Sequence, residues 1–258
     1  MTLTPEHEQE LAQAKARLEN PSIAAKISGV AARPIEKGVE LLPESAKAQI
    51  LEIARTSLES ALKAALYTLS DEPAERSKLA HMAGGALSGA LGGSAGLAGL
   101  AIELPLSTTI MLRSIADTAR AEGEDLKSRE TQLACLEVFA LGSPSATDDA
   151  ADAGYFAVRA ALASAVSDAT AYAVSTGAIR DSAPTLVRFI GKVATRFSIP
   201  VTEKAAAQAV PLVGAAGGAI INALFIDHFQ DMAHGHFVVR RLERTYDPTL
   251  VRAAYEAM

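Results

Sequence analysis

Apolar residues recur at helical spacing along most of the chain. In residues 44–69 the charged residues leave one face to an apolar series made of Ile50, Ile53, Leu58, Leu62, Leu66 and Leu69. Similar spacing predicts helices at residues 105–121, 128–141, 148–175 and 184–197. No stretch alternates with the period of two that strands show. The pattern predicts an all-α fold, a multi-helix bundle.

Prolines, glycines and capping residues predict where these helices begin and end. Thr4 can cap a first helix, Pro5 fits its first turn, and the helix should end before Pro21. Breaks are expected before Pro105, at Gly123, at residues 142–144 and at residues 199–200. We expect one domain over residues 1–258, with an N-terminal helical extension (1–45) and a core (46–246).

Two segments, residues 82–102 and 205–226, contain no charged residue, and they predict two glycine- and alanine-rich central helices. The first carries glycines at spacings of four and three, namely Gly85, Gly89, Gly92, Gly96 and Gly99. Glycine within a helix costs about 1 kcal/mol relative to alanine, so such a stripe favours close helix–helix packing. The second segment offers Gly214, Gly217 and Gly218 as the neighbour. A second copy of the chain is the alternative neighbour, which would make a homo-oligomer.

The same two segments raise the question of membrane insertion. Each reaches the roughly 20 residues that span a bilayer. However, seven of the 21 residues in 82–102 are glycine, and the mean hydropathy of the chain is only +0.18. The sequence therefore allows two alternatives, which are insertion into a membrane and burial in a protein core.

Charge and cysteine content narrow the class of protein. The net charge is −6, so we expect no nucleic-acid partner. The only cysteine, Cys135, lies in an apolar stretch, which indicates a buried, inert thiol and excludes an internal disulfide framework. Residues 1–10 are polar and acidic, unlike a secretory signal, so a cytoplasmic location is expected.

Several long motifs carry a family resemblance. They are PLSTTIMLRSIADTARAEG (105–123), CLEVFALG (135–142), VPLVGAAGGAIINALFI (210–226) and DHFQDMAHGHFVVRRLE (227–243). In these blocks the chain resembles the EcsC protein family over roughly residues 50–245. The resemblance implies a bacterial helical protein, in the cytoplasm or associated with a membrane, from a family named after a protein encoded beside ABC-transporter subunits. It assigns no functional role to individual residues, so catalytic residues and cofactors stay open.

Two groups of polar residues could carry chemistry. Asp227, Asp231 and His234 share one helix face and, with Glu103, form a candidate set of metal ligands. The alternative is that these side chains mark where a buried helix reaches water.

The second group contains Arg113 and Arg120, which lie on one face with Asp117 between them. The two arginines could bind an anion or a lipid headgroup, or the three residues could form an intrahelical ion-pair ladder.

Three functions are compatible with these observations. The leading hypothesis is a non-enzymatic, membrane-associated accessory protein at the inner face of the membrane, where it contacts lipid or a membrane complex such as a transporter. The alternatives are a soluble metal-dependent hydrolase that uses the Asp/His group, and a soluble helical scaffold.

Overall fold

The computed structural model describes residues 2–19, 37–68, 96–142, 154–176, 183–209 and 211–258. These ranges contain eight α-helices with defined bounds, a short helical stretch at residues 37–40, one 3₁₀ turn (Val138–Ala140) and no strand. The helices are α1 (Pro5–Leu18), α2 (Glu44–Thr68), α3 (Gly96–Ala121), α4 (Arg129–Glu137), α5 (Tyr155–Thr176), α6 (Pro184–Ala209), α7 (Pro211–Thr245) and α8 (Pro248–Ala257). The predicted all-α fold is confirmed.

Helix α7 is the longest element, and it packs against α1, α3, α6 and α8. Gln230 on α7 donates to the hydroxyl of Ser114 on α3, with 3.2 Å between Nε2 and Oγ. Ten residues further along, Arg240 donates to Glu124 just beyond α3, with 2.8 Å between Nε and Oε1. Helices α3 and α7 therefore run side by side in the same direction. A residue of α3 lies at about the same height along the bundle axis as the α7 residue whose number is 116 higher.

The ends of α1 and α2 follow the local sequence. The Thr4 hydroxyl accepts a hydrogen bond from the His7 amide, and Pro5 occupies the first turn, as predicted. Helix α2 covers Glu44–Thr68, against a predicted 44–69. Both helices begin where capping and periodicity predict; α2 ends one residue earlier than predicted, and α1 ends at Leu18, before Pro21.

Two predicted breaks are wrong, because Pro105 lies inside α3 and Pro200 lies inside α6. A proline within a helix costs about 3 kcal/mol. Here the flanking residues are buried, including Leu104 and Thr108 beside Pro105, and Phe197 and Val201 beside Pro200. Tertiary burial on both sides of each proline outweighs the lost hydrogen bond, so the helices continue.

The uncharged segments are arranged differently from the prediction. Most of the first, with Gly85, Gly89 and Gly92, lies outside the described residues, and its last part, with Gly96 and Gly99, begins α3. The second is divided between the end of α6 at Ala209 and the start of α7 at Pro211. Gly214, Gly217 and Gly218 lie in α7, in a stretch where only the helical backbone is described. Of the helices in the described ranges, none is long and apolar enough to cross a membrane.

Helix α1 packs on α7 through a glycine contact. Its residues Leu11, Ala14 and Leu18 are buried in the same core as the α7 side chains. At Gly235 on α7, an added Cβ would lie 2.6 Å from Cγ of Leu18 and 3.0 Å from the carbonyl oxygen of Ala14. The glycine is required because the backbone of α1 occupies the space that a side chain would need.

We expect Gly235→Ala to lower the free energy of unfolding by about 1–3 kcal/mol, because a methyl group would force α1 away from α7. Gly191→Ala on α6 is the matched control, because an added Cβ there would meet nothing within 4 Å. The control should be stabilised by about 0.5–1 kcal/mol through helix propensity. Urea denaturation measures both. Equal effects of the two substitutions would contradict the close contact.

Candidate functional site

A buried ion pair joins α6 to α3. The ammonium Nζ of Lys204 donates to Oε1 of Glu103 at 2.6 Å, and the two side chains are 1% and 12% exposed. The ring of Phe225 on α7 covers the ammonium, with 4.5 Å from Nζ to the ring centroid. Burial lowers the pKa of Lys204, and the Glu103 carboxylate opposes that shift. Three helices therefore meet at one buried charge.

The structure does not assemble the predicted metal ligands. Because α3 and α7 run in parallel with residue 114 beside residue 230, Glu103 lies near the level of residue 219. His234 is therefore about 22 Å further along the bundle. It faces Glu122, with 3.9 Å from Nδ1 to Oε1, while Asp227 is exposed and Asp231 is partly exposed. In the described ranges, no three His, Cys, Asp or Glu side chains are grouped so that they could hold a metal ion.

The candidate anion-binding arginines lie along the flank of α3. Arg120 pairs with Asp117 at 3.1 Å, and both side chains are about half exposed, whereas Arg113 is partly buried. This is the intrahelical pair of the alternative interpretation, of small energetic value. Arg113 and Arg120 lie about 16 Å and 27 Å along the helix axis from Ile102. Binding of an anion by these residues stays a prediction.

The C-terminal part of α7 carries an arginine clamp, which we define as Arg240, Arg241 and Arg244 together with the four glutamates that they bind, Glu10, Glu122, Glu124 and Glu130. Glu124 is its centre, because its side chain is only 6% exposed and binds Arg240, Arg244 and the Thr131 hydroxyl. Burial raises the pKa of Glu124, but these partners together hold it below its usual value.

The clamp connects separate parts of the chain. Arg241 donates to Glu122 at 2.7 Å and to Glu10 at 2.8 Å, so it joins α7 to α1 and to the turn after α3. Arg240 also reaches Glu130 of α4 at 3.1 Å. The salt bridges of these arginines therefore cross between elements, from α7 to α1, to α4 and to the turn after α3.

A second polar cluster, missed by the sequence analysis, lies between α5 and α7. Arg159 makes two hydrogen bonds to Glu243, of 2.8 and 3.1 Å. The buried Tyr155 hydroxyl lies 3.0 Å from Nδ1 of the buried His236. Burial and two nearby arginines hold the pKa of His236 well below its usual value. In the sequence, the signal for this cluster was two polar residues among the apolar residues of each helix, namely Tyr155 and Arg159 on α5 and His236 and Glu243 on α7. Only the fold brings these two pairs together.

The opposite end of the bundle from the clamp exposes two large apolar side chains, beside charged residues such as Glu40 and Glu44, and we call it the apolar end. It contains Leu41 and the first residues of α3 up to Ile102, with the end of α6 and the start of α7. Leu41 is 82% exposed and Ile102 is 76% exposed. An added Cβ at Gly38 would lie 3.3 Å from Cβ of Ala206, and Glu103 binds Lys204, so both exposed side chains lie near the end of α6. Large apolar side chains exposed together indicate a contact surface.

We expect Glu103→Leu to lower the free energy of unfolding by about 3–5 kcal/mol, because it leaves the Lys204 ammonium buried without a counter-ion. Lys204→Met should have a smaller effect, because Glu103 is 12% exposed and water can hydrate its carboxylate. The double variant Glu103→Leu/Lys204→Met should come within about 1 kcal/mol of wild type. Urea denaturation of the four proteins measures the coupling, and strictly additive effects would contradict a buried pair.

The clamp predicts loss of stability in acid. A carboxyl whose folded pKa is lowered stabilises the fold above its unfolded value of 4.5, and this stabilisation is lost as the pH falls below it. Glu124→Gln should therefore lower the free energy of unfolding at neutral pH by about 3 kcal/mol and weaken its dependence on acid pH. Glu256→Gln is the control, because the Arg252–Glu256 pair is more than half exposed. Its effect should stay within about 0.5 kcal/mol.

Comparison with known proteins gives one match. The model of the EcsC protein family matches residues 6–242, so the match includes α1 as well as the blocks from which the resemblance was inferred. No curated protein and no solved structure matches the chain. Since the match covers nearly the whole sequence, the chain belongs to the EcsC protein family.

Proposed function

We propose that this protein is a non-enzymatic helical accessory protein that associates with a membrane through its apolar end. One observation carries the proposal: the strongly exposed apolar side chains Leu41 and Ile102 lie near the end of α6, where Glu103 binds Lys204. The clamp gathers arginines and glutamates about 27 Å away along α7, measured from residue 222 to residue 240. A bundle that exposes large apolar side chains at one end and gathers its buried ion pairs at the other suits the boundary between lipid and water.

Of the two ion pairs that the described residues form near this end, Lys47–Glu44 is exposed, whereas Lys204–Glu103 is turned inward. Lys204 is almost fully buried against Glu103 and Phe225, so its charge is not presented to the surroundings. A lipid surface could therefore receive Ile102 without desolvating that ammonium. Burying an isoleucine side chain contributes about 1.5–3 kcal/mol, enough for reversible binding when several such residues act together.

The state of the most reactive side-chain types favours a non-enzymatic role. Burial raises the pKa of the Cys135 thiol to about 12, which keeps it protonated and unreactive at neutral pH. Lys204 is held by a carboxylate, and the candidate metal ligands are distributed along the bundle. In the described residues, Cys135 is buried in the core and Lys204 joins α6 to α3.

The proposed location is the inner face of the membrane. The partner is lipid, a membrane complex or both, and the family resemblance suggests a transporter as such a complex. The arginines of the clamp already bind glutamates, so we expect the lipid contact to depend on apolar burial more than on anionic headgroups.

We expect the purified protein to float with phosphatidylcholine vesicles, with or without an added anionic lipid. Leu41→Ser and Ile102→Ser should each weaken binding about tenfold, because each removes an apolar side chain from the contact. Both side chains are exposed, so the free energy of unfolding should change little. Vesicle flotation at several lipid concentrations measures the effect.

Val174→Ser is the matched control, because Val174 is 69% exposed but lies on α5. The control should bind vesicles as wild type does. A wild-type protein that ignores vesicles would contradict the proposal and favour the soluble scaffold. Equal losses of vesicle binding in Val174→Ser and Ile102→Ser would show nonspecific hydrophobic adsorption and not binding through the apolar end.

A further inference from the structure

A buried carboxyl group lies at the end of α4. Glu137 is the last residue of that helix and is 5% exposed. The chain then forms the 3₁₀ turn Val138–Ala140 and reaches Gly142, whose φ of +74° favours glycine. An added Cβ at Gly142 would lie 2.5 Å from Sδ of Met232. The segment after Glu137 is thus packed tightly against α7.

Two arginines act electrostatically on the Glu137 carboxyl, Arg159 and Arg240, and both are engaged by other carboxylates. Arg159 of α5 makes its two hydrogen bonds to Glu243. Arg240 of α7 binds Glu124 at 2.8 Å and Glu130 at 3.1 Å. Glu137 is therefore an additional carboxyl in a cluster whose guanidinium groups have partners of their own.

The other titratable side chains that the structure describes at this junction are Tyr155 of α5 with His236 and His228 of α7, and the His228 ring would lie 2.8 Å from an added Cβ at Gly142. Tyr155 and His236 are buried in a hydrogen bond with each other, and the lowered pKa of His236 keeps its imidazole neutral at neutral pH. The 3₁₀ turn presents Phe139 to Phe197 of α6 and to Phe229 of α7, with centroid distances of 5.0 and 5.2 Å. An ionised Glu137 would have to draw an arginine from its present partner.

We propose that Glu137 is a proton-operated switch for the junction of α4, α5 and α7. With its proton, the carboxyl fits the buried site and the arginines keep their glutamate partners. When the proton leaves, the buried charge competes for Arg159 and Arg240, and the segment from Glu137 to Gly142 loosens.

The direction of the pH dependence follows from burial. Desolvation raises the pKa of Glu137 from 4.5 to about 7, Glu243 raises it further, and Arg159 and Arg240 oppose the shift. A carboxyl with a raised pKa favours the closed state while it keeps its proton. As the pH rises from about 4.5 to about 7 the open state ionises and the closed state does not, so the free energy of closing falls.

Hydrogen exchange of the amides in residues 131–141 tests the switch in the full chain. After correction for intrinsic exchange rates, we expect protection in the wild type to fall about thirtyfold between about pH 5.5 and about pH 8. Glu137→Gln should abolish this fall, because its amide cannot ionise. Glu137→Met is a second variant in case the glutamine does not fold.

Glu130→Gln is the matched control, because Glu130 lies on the same helix, binds Arg240 and is 59% exposed. It should keep the wild-type fall in protection. Constant protection in the wild type would overturn the proposal. A fall that persists in both Glu137 variants would also overturn it and assign the pH dependence to another group, such as the partly exposed His234.

Discussion

The parallel packing of α3 against α7 is the contact on which the other features of the structure depend. It matches residue 114 with 230 and residue 124 with 240, and so fixes which side chains meet at each level. Arg240 reaches Glu124 only because of this register, and Lys204 finds Glu103 beside Phe225 for the same reason. A shift by one turn would move each partner about 5 Å along the axis and leave buried charges unpaired.

The two ends of the bundle differ in how their charged side chains are paired. Ionised groups are costly to bury unless a partner is in place, so each buried charge ties helices together. At the clamp end several arginines and glutamates join α1, α4 and α7 and the turn after α3. At the apolar end the Lys204–Glu103 pair is turned inward, the Lys47–Glu44 pair lies at the surface, and the strongly exposed Leu41 and Ile102 are uncharged. The proposed lipid contact and the proposed proton switch therefore use opposite ends of the same bundle.

Local chemistry predicted some boundaries well and others poorly. Thr4 and Pro5 start α1 because a capping hydroxyl and a proline act within one turn. Pro105 and Pro200 were expected to end helices, but burial of their neighbours carries α3 and α6 through them. The division of residues 205–226 between α6 and α7 was also missed, because the absence of charge does not reveal a helix boundary.

The sequence by itself determined the helical class, the family blocks and the uncharged character of two segments, because periodicity and composition are local properties. It also placed Glu103, Asp227, Asp231 and His234 among the polar residues of interest. Only the tertiary structure decided their partners, since Glu103 meets a lysine 101 residues away and not the residues of α7. Partner choice depends on the level at which two helices pack, and that level is set by the burial of many side chains at once.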